Sequence, residues 1–146
     1  MSLDAAGIAR LVPHAGAMSL LHEVTEWDAD TIHCRAVSHH REDNPLRWCG
    51  RLAVINAVEY AAQAMAVHGA LRAGDASDRP GYLAAVRSLA LYGERLDDTE
   101  GDLHVACQRI MGDENGIMYT FSVMTGARLR AEGRAMVLFA GDGADD

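Results

Sequence analysis

Lysine is absent from the 146 residues, and all thirteen basic side chains are arginine. Schiff-base chemistry, a phosphate-loop lysine and a lysine general base are therefore excluded. Basic charge is scarce as well: the formal net charge is -8, and no segment gathers the arginines into the clustered positive field that a phosphate backbone requires. Nucleic-acid binding is set aside on that ground. Cysteine is sparse too. Cys34, Cys49 and Cys107 are an odd number at spacings that fit neither a zinc site nor a disulfide framework, so they read as reduced thiols, with no metal. Long apolar runs are missing. The start, Met1-Ser2-Leu3-Asp4, carries an acid early, and no stretch has the length of a signal peptide or a membrane span, so a soluble, cytoplasmic protein away from membranes is expected. There is no repeat and no low-complexity linker.

What is present is apolar: 49% of the residues are hydrophobic, enough for one real core in a chain of this length. The expectation is a single domain over 1–140, followed by an acidic, glycine-containing end, 141–146, that does not pack.

Along the chain, a short helix over 4–11 precedes two β-leaning runs, 20–28 and 31–38, separated by Asp28-Ala29-Asp30; together they predict a first hairpin. Residues 39–50 contain Asn44-Pro45 and little periodic apolar signal, which predicts a loop of the kind that often lines sites. From 52 to 72 there is no proline, and alanine, leucine, methionine and glutamate dominate. This spacing predicts a helix of about five to six turns, with Gly74 as a stop signal. Its apolar residues point in nearly every direction, as in a helix buried on most sides.

The surroundings come from the second half. Runs over 81–91 and 103–111 read as strands, as do the alternating Ile117, Tyr119, Phe121 and Val123. So does the set Ala127, Leu129, Ala131, Ala135 and Val137, which alternates against Arg128, Arg130, Glu132 and Arg134. Glu114-Asn115-Gly116 suits the positive φ of a two-residue type I′ turn, which favours antiparallel pairing. The fold class expected is α+β: a long central helix wrapped by a curved antiparallel β-sheet, the hot-dog arrangement.

On the helix, Asn56, Glu59, Tyr60 and Gln63 fall within roughly one 100° sector. A carboxylate removed from water needs partners or takes up its proton more readily, and the second outcome suits proton transfer. The alternative is architectural, a stripe facing a dimer partner or ordered waters with Asn56 and Gln63 holding Glu59.

Several short motifs carry a resemblance across most of the chain. Leu11-Val12-Pro13-His14, with Met18 to Val24 after it, is similar to the amino-terminal signature of the hydroxyacyl-carrier-protein dehydratases of the FabA/FabZ type. Glu59-Tyr60-Ala61-Ala62-Gln63-Ala64 resembles that family's central-helix segment, Gly81-Tyr82-Leu83-Ala84 its third strand, and Asp102-Leu103 falls where it has Gly-Asp-x-Leu. Asn44-Pro45-Leu46 and the Glu-Tyr-x-Ala-Gln variant most resemble the divergent ApeP-like branch, whose members accompany aryl-polyene and related lipid or polyketide pathways.

The resemblance implies that Glu59 matches the catalytic acid that helps the 3-hydroxyl depart, with Gln63 positioning it. It implies also that peptide amides around Leu52 to Val54 polarise the thioester carbonyl. Asn56 and Tyr60 join this substrate-binding set. The family's His-Phe-Pro-Gly loop has no counterpart, because the segment between Pro45 and Glu59 is shorter and the histidine falls in the gap. Replacement bases are His39 and His40. His14 reads as the structural histidine of the amino-terminal signature, and His22, His33 and His104 as strand residues. His68 lies off the polar stripe.

Arg47 and Arg51 flank the helix start and suit the phosphates of phosphopantetheine or coenzyme A. Arg128, Arg130 and Arg134 form a strand-face stripe suited to an acidic carrier protein. The partners expected are an acyl carrier protein or coenzyme A thioester and a second hot-dog chain, as a homodimer or heterodimer. No cofactor is expected. Three functions compete: a 3-hydroxyacyl thioester dehydratase, an acyl thioesterase that uses the same carboxylate, and a non-catalytic subunit lent to a competent dehydratase.

Overall fold

A computed structural model describes residues 2–12, 18–74, 81–98 and 100–139. His14, the segment 75–80 and the acidic end lie outside them. Nine elements follow one another: β1 (Leu3–Asp4), α1 (Ala5–Leu11), β2 (Glu23–Trp27), β3 (Thr31–Ala36), α2 (Ala57–Ala73), β4 (Gly81–Leu91), β5 (Leu103–Gly112), β6 (Gly116–Thr125) and β7 (Arg128–Phe139). The strands form one seven-stranded sheet in the order β1-β2-β3-β5-β6-β7-β4, and every pairing is antiparallel. This is the expected α+β hot-dog: the sheet curls around α2.

The core forms because alternate residues of the strands point at the helix. Ile32 and Cys34 of β3, Val105 and Cys107 of β5, and Tyr119, Phe121 and Val123 of β6 are buried with Ala57, Ala61, Ala64 and Val67 of α2. Small alanines on the helix let the sheet approach closely. Burial pushes the Cys34 thiol up to about 12 and raises that of Cys107, which leaves both protonated.

The first hairpin turns at Asp28, whose Oδ1 accepts from the amides of Asp30 and Thr31, both at 2.8 Å. At the β5–β6 end the expected type I′ turn is absent, and neither Glu114 nor Asn115 has positive φ. The Asp113 carboxylate bends the chain instead, accepting from the amides of Asn115 (2.8 Å) and Gly116 (3.2 Å). A two-residue turn with positive φ does occur elsewhere, at Cys49 (52°) and Gly50 (74°). Trp48 and Arg51 flank it and exchange backbone bonds of 2.8 and 3.0 Å. It holds the Trp48 side chain out in water, 80% exposed.

The helix starts later than its sequence suggests. Residues 52–54 are extended against 94–96: Val54 N donates to Glu94 O at 2.9 Å and Leu96 N to Leu52 O at 2.8 Å. A 3₁₀ turn, Val54–Asn56, then leads into α2. Tertiary pairing overrides helix propensity over these residues. At the far end Gly74, at φ 59°, stops the helix as expected.

Arg130 departs from its predicted face. Val123 pairs with Ala131 and Met124 with Leu129, so Arg130 is the extra residue of a β-bulge, and the bulge turns its side chain inward. It is 1% exposed. The guanidinium donates to Arg95 O and, at 3.3 Å, to Asp98 Oδ1, while Nε and Nη1 have no partner among the described residues. Gly93, at φ 91°, lies over it, and a Cβ there would sit 3.2 Å from Nη2. The bulge breaks the predicted arginine stripe: Arg128 and Arg134 are both exposed, but they pair with Thr125 and Thr120, an odd number of residues apart, and so leave β7 on opposite faces.

Candidate active site

The predicted polar stripe of α2 divides. Tyr60 is fully buried and Gln63 is 8% exposed, whereas Asn56 is half-buried and Glu59 is exposed. The expectation that Glu59 is withdrawn from water is corrected for the single chain: its sector of the helix faces outward, because the sheet wraps the opposite side. Glu59 makes no hydrogen bond or ion pair among the described residues.

The two buried members have structural partners. Gln63 Oε1 accepts from the Leu20 amide at 3.0 Å and its Nε2 donates to Met18 O at 2.6 Å. It therefore clamps residues 18–20 to α2, and its amide is not directed at Glu59. The Tyr60 hydroxyl lies 2.8 Å from Ser38 Oγ and accepts from Asn44 Nδ2 at 3.1 Å. Asn44 also donates to Ser38 O at 2.9 Å, and its Oδ1 receives the Leu46 amide at 2.9 Å. Tyr60 is thus committed to holding the 38–46 loop rather than to a substrate, and burial raises its pKa. Asn56 donates to Ala53 O at 3.2 Å, bracing the 3₁₀ turn.

The adjacent histidines differ sharply. His39 is fully buried, and its Nε2 lies 2.9 Å from Gly101 O. A carbonyl only accepts, so Nε2 carries the proton; Nδ1 has no partner among the described residues. Burial lowers the pKa of His39, and its ring has no route to solvent. His40, its ring centroid 3.9 Å away, is exposed. Of the two predicted bases, only His40 has its ring open to solvent.

At the helix start the predicted thioester and phosphate donors are occupied at Leu52, Val54 and Arg47 but not at Arg51. The Leu52 amide donates to Asp97 Oδ1 at 3.1 Å and the Val54 amide to Glu94 O. Arg47 is paired with Asp97 at 3.0 Å and donates to backbone carbonyls. Arg51 is exposed, and its side chain has no partner among the described residues. Asp97 is a residue the sequence reading missed. It sits in an acidic run, Asp97-Asp98, that looks like any solvated turn, and only the three-dimensional pairing reveals it. The Arg95 guanidinium, with help from the Leu52 amide, holds its carboxyl well below the usual carboxylate range.

A groove of about 620 Å³ runs beside α2, lined by Ala62, Met65, Ala66, Gly69, Ala70 and Ala73 of the helix and by Tyr82, Leu83, Ile117, Val137 and Phe139 of the sheet. At about 100° per residue, Ala62, Ala66 and Ala70 fall on the same face as Glu59. The carboxylate therefore stands one turn before an apolar trough. No group of His, Cys, Asp and Glu suited to a metal ion occurs among the described residues, and no helix there is long and apolar enough to cross a membrane.

One hot-dog chain in solved structures, the dehydratase heterocomplex ApeI:P from Xenorhabdus doucetiae, is 20% identical, with a TM-score of 0.80 over 92% of this chain and 91% of that chain. AziG from S. sahachiroi is 14% identical, with a TM-score of 0.65 over 89% and 98%. A thioesterase from Haemophilus influenzae is 12% identical, with a TM-score of 0.62 over 95% and 92%. At these identities the likeness is one of fold. No curated protein sequence matches. The family model for ApeP-like dehydratases matches residues 6–144, so the chain belongs to the ApeP-like dehydratase family.

Proposed function

We propose that this chain dehydrates 3-hydroxyacyl thioesters as one half of a hot-dog pair, in a cytoplasmic fatty-acid, polyketide or aryl-polyene-type pathway. In this reaction a base takes the α-proton, the C3–O bond breaks as Glu59 gives its proton to the departing hydroxyl, and water leaves behind a C2=C3 double bond. The observation that carries the reading is the alignment of Glu59 with the apolar trough of α2: an acyl chain laid along Ala62, Ala66 and Ala70 brings its thioester end to the carboxylate. His40 is the base and Arg51 meets the phosphate of the pantetheine arm, whether on a carrier protein or on coenzyme A.

A partner chain completes the site. In the single chain Glu59 stands open to water, with nothing over it to exclude solvent from a reacting group. Covering it with a second hot-dog surface supplies the desolvation that favours the protonated form. The edge strand β4 offers a place to pair, with eleven residues of which Arg87 alone is charged. ApeI:P, by its name a heterocomplex, makes a different hot-dog chain as reasonable a partner as a second copy.

The test is formation of enoyl thioester from 3-hydroxyoctanoyl-coenzyme A, by this chain alone and mixed with a hot-dog chain encoded beside it. Loss of turnover in Glu59→Gln is expected. Equal, background rates for wild type and Glu59→Gln in both settings overturn the reading, and thiol release without enoyl product assigns the chain to hydrolysis instead.

A further inference from the structure

Asp97 follows β4, and its side chain is 3% exposed. Both carboxylate oxygens are shared. Oδ1 accepts from the Leu52 amide at 3.1 Å and from Arg95 Nε at 2.9 Å. Oδ2 accepts from Arg47 at 3.0 Å and from Arg95 Nη2 at 2.7 Å. Arg47 then donates to three backbone carbonyls: Arg41 at 2.7 Å, and Gly50 and His39 at 3.1 Å each. One carboxylate is thereby joined, through one planar guanidinium, to both ends of the 39–50 loop, and directly to the lead-in of α2.

We propose that Asp97 is a positioning residue of the active site: through Arg47 and the Leu52 amide it fixes His40 and the first turn of α2 relative to each other, without meeting the substrate. The proposal rests on the reading of Glu59 and His40 given above. The loop is served by such a device, because apart from the two-residue turn between Trp48 and Arg51 it has no strand to pair with, and the Arg47 fork ties together carbonyls that no ladder holds. Arginine suits the task, since its fork reaches several acceptors in one plane where lysine supplies a point charge. The arrangement also argues against a substrate phosphate at this place. The Leu52 amide and Arg47 already hold an anion, and a phosphate there would have to displace a buried carboxylate bound by four donors.

Neutralising Asp97 leaves Arg47 half-shielded from water without a counter-charge, and converts charge-assisted bonds into weaker neutral ones. The loop and the helix lead-in then move independently, and small misplacements of reacting groups are costly in rate.

The experiment uses the full chain, with its partner chain where one binds, and two variants, Asp97→Asn and Arg47→Lys. Amide hydrogen exchange is read over residues 38–53 and over β5 to β7, and KM and kcat are measured for dehydration of 3-hydroxyoctanoyl-coenzyme A. The expected result in both variants is exchange faster by ~10-fold or more in 38–53, with β5 to β7 within ~2-fold of wild type. Turnover falls ~10-fold or more while KM stays within ~3-fold. Glu59→Gln, in contrast, loses turnover with the exchange of 38–53 unchanged. Exchange that is unaltered, or accelerated evenly across the chain, overturns the proposal, as does a loosened loop with wild-type kcat. Should wild type show no dehydration, the dehydratase reading fails by itself, and localised against uniform exchange decides whether Asp97 positions this loop.

Discussion

His68 Nδ1 and the Tyr119 hydroxyl lie 2.7 Å apart in the core, joining α2 to β6. On the other side of the ring, Nε2 lies 2.8 Å from Asp28 O, so Nε2 carries the proton and Nδ1 accepts from the tyrosine. Tyr119→Phe removes the donor and strands a buried nitrogen. The expected loss is about 1–2 kcal/mol of folding stability, read by urea denaturation. An unchanged midpoint would show that the bond contributes nothing net.

Among the described residues, the same ring is one of two histidines whose pKa burial lowers, the other being His39. The unfolded chain therefore takes up protons on these groups first as pH falls below about 6.5. The stability that comes from keeping them neutral is complete above that pH and is lost as pH drops toward the folded values. Melting temperature is expected to decline between pH 7.5 and pH 5.5, with a shallower decline in His39→Asn. A flat profile over that window contradicts the assignment. Asp97, its carboxyl held low, keeps its contribution until much stronger acid.

Arg130 allows a sharper comparison. Its guanidinium is buried with Nε and Nη1 unpartnered among the described residues. Replacement by methionine fills most of the volume and removes a buried charge, so stability is expected to stay within about 1 kcal/mol of wild type or to rise. Arg130→Ala leaves a cavity and is expected to cost about 2–4 kcal/mol. If the methionine variant is as damaged as the alanine one, the charge itself holds the 93–98 segment, and this account of the bulge is wrong.

Ala66 sits on the exposed face of α2 within the groove. Ala66→Leu is expected to leave melting almost untouched, while raising KM for long-chain 3-hydroxyacyl thioesters by ~10-fold or more, from about 1–3 kcal/mol of steric conflict. Short-chain substrates should be spared. Equal effects on both would move the acyl chain out of this trough.

Much of the architecture was legible because the sheet strands obey a period of two and the helix is rich in alanine and free of proline. The places where the sequence misleads share a cause. Arg130 alternates correctly along the chain, but one extra residue in the strand flips it. Residues 52–56 have helix-forming composition, yet the partner at 94–96 draws the first part into an extended pairing. Asn115-Gly116 has the chemistry of a type I′ turn, whereas the Asp113 side chain reaches the amides first. In the candidate site, the position of Glu59 on α2 is legible from the sequence, but its exposure is not, since no periodicity says which side of a helix the sheet leaves open. Asp97, Ser38 and Asn44 act through contacts across the fold that local spacing does not encode.

The turn that holds Trp48 in water makes this chain its own reporter. There are two tryptophans, and Trp27 at the end of β2 is half-buried, so in a Trp27→Phe variant all indole emission comes from the lead-in to α2. A hot-dog partner or carrier protein that covers this surface should shift that emission to shorter wavelength and shield it from iodide quenching. An acyl chain that only enters the trough should leave the spectrum where it was. Docking and substrate loading, usually followed by separate assays, would be distinguished by one unlabelled signal.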